Sequence, residues 1–236
     1  MNNIFAFYKP KGITSNDAVQ KVRTIVGRSV KVGHAGTLDP LAQGVLVIAV
    51  GREATKKINE VVKKEKEYIA EITLGFESAT DDAEGIALSQ SKGDAEGEKI
   101  LRQAQDKPNP NLEDIQKTLP EFIGNIKQVP PIYSAIKISG KEAYKYARGG
   151  QVVEMAPREV EIKNIELLEY AWPKLKIKVL TGPGVYIRSL ARDIGRKLGT
   201  GGYLSFLERT RVGDFKKEDA ISMDDLPKFL ADLNIF

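Results

Sequence analysis

A polar, glycine-containing loop that leads directly into an unbroken apolar run is the feature that most constrains this fold. The segment Gly33–Gly51 reads GHAGTLDPLAQGVLVIAVG, and Val45–Val50 is apolar at every position. A strand with one face in water alternates apolar and polar residues, whereas a uniformly apolar strand is covered on both faces. The run therefore predicts a buried strand, and a loop that enters such a strand is a common place for functional groups.

Further strands and two helices are predicted from the periodicity of the apolar residues. Strands are predicted at Ile4–Tyr8, Tyr68–Leu74, Val160–Leu168 and Leu175–Val179. One helix follows the start signal Thr14–Asp17 and ends at Gly27, and a second follows Tyr186 and ends at Gly199. These elements do not form a regular strand–helix–strand repeat. The pattern thus favours an α+β fold with a mixed sheet over a parallel doubly wound one.

Composition excludes several classes of site. The 236 residues include 36 Lys and Arg against 32 Asp and Glu, which gives a formal net charge of +4. Without cysteine the chain has no disulfide, thiolate nucleophile or iron–sulfur ligand, and with His34 as its one histidine it has no site of two imidazoles. It also lacks the glycine motifs of nucleotide hydrolases and dehydrogenases. No apolar run approaches the ~20 residues of a membrane span, so we expect a cytoplasmic protein without a membrane partner.

Three residues that lie in or near the predicted strands have both a structural and a functional interpretation. Pro40 follows Asp39 and restricts the backbone conformation that Asp39 can adopt. Such a pair is typical of a turn, but the restriction would also hold the Asp39 carboxylate in a narrow set of directions. His34 would stack on a base, donate a hydrogen bond or satisfy a loop carbonyl. Tyr68 opens a strand and is either a core-edge residue or part of a site.

Arginines recur at every fourth position of the second predicted helix. Arg188 begins this row, and each member is either a solvated surface charge or a contact to a phosphate backbone. The candidates for contact to an RNA backbone are Arg192 and Arg196 on the helix and Arg209 and Arg211 after it.

A set of motifs occurs in a fixed order along nearly the whole chain: Lys9–Ser15, Gly33–Pro40, Gly44–Leu46, Gly51–Lys56, Lys66–Tyr68, Gln128–Ala135, Gly140, Tyr144–Arg148, Gly184–Leu190 and Arg209–Gly213. Together these motifs resemble those of the TruB family of tRNA pseudouridine-55 synthases. The resemblance implies the pseudouridine synthase fold, an α+β fold whose mixed, mainly antiparallel sheet is flanked by helices and crossed by the catalytic cleft.

The resemblance also assigns roles to particular residues. Asp39 matches the catalytic aspartate of the family, and Arg188 matches the arginine that pairs with it. Tyr68 matches the tyrosine that stacks on the target uracil and that is a candidate for deprotonating C5. Tyr186 and Leu207 match residues that line the same pocket.

Substrate and partners follow from the same resemblance. It implies isomerisation of a uridine in the T loop of tRNA without a cofactor or a metal, and His34 matches the residue inserted where the extruded base leaves the loop. The expected partner is the T stem-loop of tRNA, and we expect a monomer. A non-catalytic RNA-binding or tRNA-folding module is the alternative, and a nucleoside hydrolase, which would release free uracil, is a third.

Two segments depart from the family pattern. Residues 90–111 are predicted to be a polar insertion, and the motifs end near Phe215, which leaves residues 216–236 as a short helical tail without the full C-terminal PUA domain of many members. We therefore expect residues 1–236 to form a single catalytic domain.

Overall fold

The helices and strands of the chain are seen in a computed structural model that describes residues 3–85, 108–134, 136–138, 140–149, 151 and 153–233. Strands β1 to β11 are Ile4–Lys9, Val32–Ala35, Gln43–Val50, Lys66–Leu74, Gly124–Gln128, Lys137–Ile138, Lys141–Glu142, Arg158–Ala171, Lys174–Thr181, Gly202–Val212 and Phe215–Lys216. Helices α1 to α6 are Ser15–Val26, Arg52–Val62, Leu112–Thr118, Ala143–Arg148, Ile187–Lys197 and Leu226–Asp232, and 3₁₀ turns span Leu119–Phe122 and Lys217–Asp219.

Contacts divide the chain into two compact units. The first comprises Met1–Ile69, Leu180–Pro183 and Phe206–Phe236, and the second comprises Ala70–Val179 and Gly184–Ser205. That the chain acts as one catalytic domain stays a prediction.

Strand β3 carries the core of the first unit on both of its faces. Leu46, Ile48 and Val50 pack with residues of β1, α1 and α6, whereas Val45 and Val47 pack in a second cluster on the opposite side of the strand. Every residue of β3 after Gln43 is buried. The prediction of a strand covered on both faces is confirmed.

Helix α1 begins and ends where the sequence signals place it. The Thr14 side chain accepts a hydrogen bond from the backbone N–H of Asp17, while the Asp17 carboxylate accepts one from the N–H of Thr14, so this capping box satisfies two donors at the helix start. Gly27 ends the helix at a φ of 96°, a conformation that glycine adopts without a steric penalty.

Strand pairing is mixed and mainly antiparallel, as the sequence predicts. In the first unit β1 and β2 both pair antiparallel with β3, and the first-unit part of β10 pairs parallel with it at Arg209 and Gly44. In the second unit β5 pairs antiparallel with β8, and β8 neighbours β9. The five predicted strands lie within β1, β3, β4, β8 and β9 and are confirmed.

Most of the predicted insertion at 90–111 lies outside the described residues, which resume at Pro108; Asn111 caps α3. In the predicted C-terminal tail the described residues include α6, and its Leu226 and Leu230 are buried in the first unit.

No helix in the described part of the chain is long and apolar enough to span a membrane.

Candidate active site

The loop between β2 and β3 places Asp39 in the first unit, and neighbouring segments hold the loop through its backbone. The Ser15 hydroxyl accepts a hydrogen bond from the N–H of Leu38 at 2.8 Å and donates one to the Leu38 carbonyl at 3.0 Å. The N–H of Gly12 donates to the carbonyl of Pro40 at 2.8 Å. Both neighbours of Asp39 are therefore fixed, and Asp39 itself is half-buried.

Lys9 is a buried cation whose charge interacts with that of Asp39. Its side chain is fully buried, and its Nζ donates to the carbonyls of Pro10 at 2.9 Å and Ile13 at 2.7 Å. Burial lowers the pKa of Lys9 to about 8; the negative charge of Asp39 opposes this shift and the positive charge of Arg209 adds to it. Lys9 belongs to the first matched motif, but sequence reasoning gave it no role.

Tyr68, Leu207 and His34 also lie in the first unit. Tyr68 on β4 and Leu207 on β10 are 6% and 5% exposed, so both are part of the packed interior. Burial, and secondarily the charge of Arg209, lowers the pKa of His34, and a hydrogen bond with the backbone of Gly36 opposes the shift. A lowered pKa favours the neutral imidazole at neutral pH, and a neutral ring suits contact with an uncharged base.

Arg188 lies at the start of α5 in the second unit, where it is 5% exposed. One guanidinium nitrogen, Nη2, donates to the Tyr133 carbonyl at 2.8 Å, and the other, Nη1, donates to the Thr80 carbonyl at 3.2 Å. Nη1 also lies 3.6 Å from a carboxylate oxygen of Asp82, which is itself buried. The interpretation of Arg188 as a solvated surface charge is therefore wrong.

Tyr186, two residues earlier, is held by a buried amide. The Gln128 side chain accepts a hydrogen bond from the N–H of Tyr186 at 2.9 Å and donates one to the Tyr186 carbonyl at 3.1 Å. Gln128 is 1% exposed. This pair of bonds fixes the backbone of Tyr186, the residue directly before α5.

The other arginines of the row are engaged with carboxylates and carbonyls of the second unit. Arg192 Nη1 contacts a carboxylate oxygen of Asp81 at 2.8 Å, and Arg192 Nη2 donates to the carbonyl of Val129 at 2.9 Å. Arg196 contacts Glu77 at 2.9 Å with an exposed side chain. Their contact with RNA stays a prediction.

The two later arginines lie in the first unit. The Arg209 guanidinium is buried, and it donates to the carbonyls of Val45 at 2.7 Å and Gly36 at 3.1 Å. Arg211 is about a quarter exposed, at 24%, and it contacts Glu65 at 2.7 Å.

Sequence reasoning missed Asp81, Asp82 and Gln128. Gln128 stands inside a matched motif, which was the available signal, but the two aspartates lie outside every segment used for the resemblance. Among the described residues no group of three or more His, Asp or Glu side chains is arranged to hold a metal ion.

Comparisons with known proteins point to one family. Residues 23–187 match the family model described as TruB family pseudouridylate synthase (N terminal domain), and residues 188–233 match the tRNA pseudouridylate synthase B C-terminal domain. The second match extends the resemblance beyond Phe215.

Curated relatives and a solved structure agree with the two family models. The tRNA pseudouridine synthase B of Francisella philomiragia is 43% identical over 96% of this chain and 70% of its own length. That of Phocaeicola vulgatus is 42% identical over 96% of this chain and 92% of its own length. A chain in the crystal structure of a Cbf5-Nop10-Gar1 complex superposes with a TM-score of 0.70 at 29% identity over 97% of this chain, which spans 54% of that chain's length.

Proposed function

Because this chain belongs to the TruB family of pseudouridylate synthases, we propose that it is a tRNA pseudouridine synthase acting on one uridine of the T loop. The relatives aligned over 96% of the chain carry the name tRNA pseudouridine synthase B, and this agreement supports the activity and the tRNA substrate. The observation that carries the proposal is the loop between β2 and β3, whose backbone is hydrogen-bonded on both sides of Asp39.

The reaction breaks the bond between N1 of uracil and C1′ of ribose, turns the base and joins C5 to C1′. A carboxylate assists in one of two ways: as a nucleophile at C1′, by analogy with retaining glycosidases, or as a base that removes a sugar proton in a glycal route. Asp39 is the proposed carboxylate in both. A loop whose backbone is fixed favours either route, because even a small displacement of a reacting group lowers the reaction rate strongly.

The substrate uridine lies inside a folded RNA loop, and extruding it costs on the order of a few kcal/mol. On the resemblance we assign Tyr68 to stacking on the uracil, and Leu207 and Tyr186 each to substrate binding. His34 is assigned to the space that the base vacates. Its lowered pKa supports this assignment, since a neutral imidazole fills a space among stacked bases without burying a charge.

Arg188 matches the family's arginine that pairs with the catalytic aspartate, and on this resemblance we propose it as a catalytic residue. Its planar fork is fixed by the carbonyls of Tyr133 and Thr80, so lysine would be a poor replacement. No cofactor enters the proposed isomerisation, which is redox-neutral and conserves all atoms. We expect a monomer that acts on the T stem-loop in the cytoplasm.

Tritium release tests this proposal. A tRNA transcript carrying tritium at uridine C5 loses the label when C5 joins the ribose, and we expect release from one T-loop uridine only. A control transcript with cytidine at that position should release none from the loop. A folded protein that binds the transcript without releasing tritium would instead be a non-catalytic RNA-binding or tRNA-folding module, and free uracil in the products would indicate a hydrolase.

A further inference from the structure

We infer that Arg209 is a positioning residue for Asp39, acting through the backbone of the Asp39 loop rather than through contact with RNA. This inference rests on the proposed function, because it assigns Arg209 a part in the same reaction. It replaces the sequence-based expectation that Arg209 contacts the RNA backbone.

Burial is the first support for this inference. Arg209 is 1% exposed, so its guanidinium does not reach a phosphate unless the surrounding chain is rearranged. An arginine cannot release its charge in a protein, so the buried cation must be stabilised by hydrogen-bond acceptors in its surroundings. The acceptors found around it belong to the chain itself.

The identity of these acceptors is the second support. Arg209 Nε donates to the carbonyl of Val45 in β3 at 2.7 Å, Nη2 donates to Gly36 at 3.1 Å, and Nη1 donates to Thr37 at 3.5 Å. The planar guanidinium therefore links the first two residues of the loop, Gly36 and Thr37, to β3, the strand that follows the loop. A guanidinium is suited to this task because its donors are held in one plane.

Close backbone packing fixes the position of Arg209 itself. A Cβ built on Gly44 would lie 2.2 Å from the carbonyl oxygen of Arg209, and Gly44 has a φ of +107°. Only glycine allows so close an approach of β3 to β10. The backbone of Arg209 is thereby held against the start of β3, directly after the Asp39 loop.

Ser15 provides a second, independent hold on the same loop. Ser15 is 3% exposed, and its hydroxyl exchanges two hydrogen bonds with Leu38, the residue directly before Asp39. Arg209 binds the loop two and three residues before Asp39. The two side chains together leave the backbone before Asp39 little freedom. Loss of either is expected to displace the carboxylate without removing it.

The test compares kcat and KM for tritium release in wild type, Arg209→Lys, Arg209→Met and Ser15→Ala, each corrected for the folded fraction measured by urea unfolding. Because a displacement near 1 Å costs up to about a hundredfold in rate, we expect kcat to fall about tenfold for Arg209→Lys and for Ser15→Ala. The fall should be larger for Arg209→Met. KM and the Kd for tRNA should change less than about twofold, since no RNA contact is lost.

Arg23→Lys is the matched control, because Arg23 also donates a guanidinium hydrogen bond to a carbonyl, that of Val32 at 3.2 Å, and Val32 lies in β2 rather than in the Asp39 loop. Its kcat should equal that of the wild type. If Arg209→Met does not fold, Arg209→Lys and Ser15→Ala still decide the question.

Two results would overturn the inference. The first is a raised KM with unchanged kcat in the Arg209 variants, together with a slope of log Kd for tRNA against log salt concentration that is smaller by about one. This result would show that Arg209 contacts a phosphate. Unchanged kcat and KM per folded molecule in Arg209→Lys and Ser15→Ala would reduce both residues to a role in stability. A wild type that releases no tritium would refute the proposed function instead, and it is therefore measured first.

Discussion

Replacing Lys9 by methionine should change how the stability of the protein depends on pH. The folded chain holds the Lys9 ammonium in a fully buried position, and burial lowers its pKa from 10.5 to about 8. Between these two values the unfolded chain binds more protons than the folded one at this residue. Titration of Lys9 therefore makes the free energy of unfolding rise with pH in this window, and it adds no pH dependence below about pH 8, where both states are protonated.

The size of the effect follows from the two pKa values. The difference corresponds to about 3 kcal/mol in total, most of which should appear between pH 7 and pH 10. Methionine has a similar length and carries no charge. The difference between the unfolding free energies of wild type and Lys9→Met should consequently change by about this amount across that range, in favour of the wild type at high pH.

Urea unfolding at fixed pH values from 7 to 10 measures this difference. Lys66 provides a matched comparison, because it is also buried, its Nζ donates to the carbonyls of Val62 and Lys64 at 2.8 Å, and burial lowers its pKa to about 8. Lys66→Met should give a similar change, and the double variant should give their sum. A pH-independent difference for Lys9→Met, or one that moves in the opposite direction, would refute the reasoning.

Three further substitutions test other parts of the structure. Asp82→Asn removes the carboxylate beside the buried Arg188 guanidinium and should lower the urea-derived unfolding free energy by about 3 kcal/mol; an unchanged value would contradict the charge pairing. Gln128→Ala removes two hydrogen bonds to Tyr186 and should cost about 2 kcal/mol in the same experiment, with a reduced kcat for tritium release. Thr14→Ala removes the cap of α1 and should cost about 1 kcal/mol, measured as a lower urea midpoint with an unchanged slope.

Elements with strong local signals could be predicted from the sequence. The uniformly apolar Val45–Val50 predicted a strand covered on both faces, and Thr14, Asp17 and Gly27 predicted the ends of α1 through local capping and backbone conformation. These signals act within a few residues, so they do not depend on how the rest of the chain folds.

Interactions between distant positions could not be predicted. Arg188 binds the carbonyl of Thr80, 108 positions away, and Arg209 binds that of Gly36, 173 positions away. A backbone carbonyl has no sequence signature, so nothing in the composition distinguishes an arginine that holds a loop from one that faces RNA. The resemblance to a family identified Asp39, whereas the side chains that hold its loop became visible only in the structure.

Comparison of wild type with Asp39→Asn tests the central claim most directly. With tRNA labelled at uridine C5 and enzyme in excess, wild type should release tritium from one T-loop uridine, whereas Asp39→Asn should fold, bind the same tRNA with similar Kd and release none. Release by Asp39→Asn at the rate of the wild type would contradict the account, because the carboxylate of Asp39 would then have no part in the reaction.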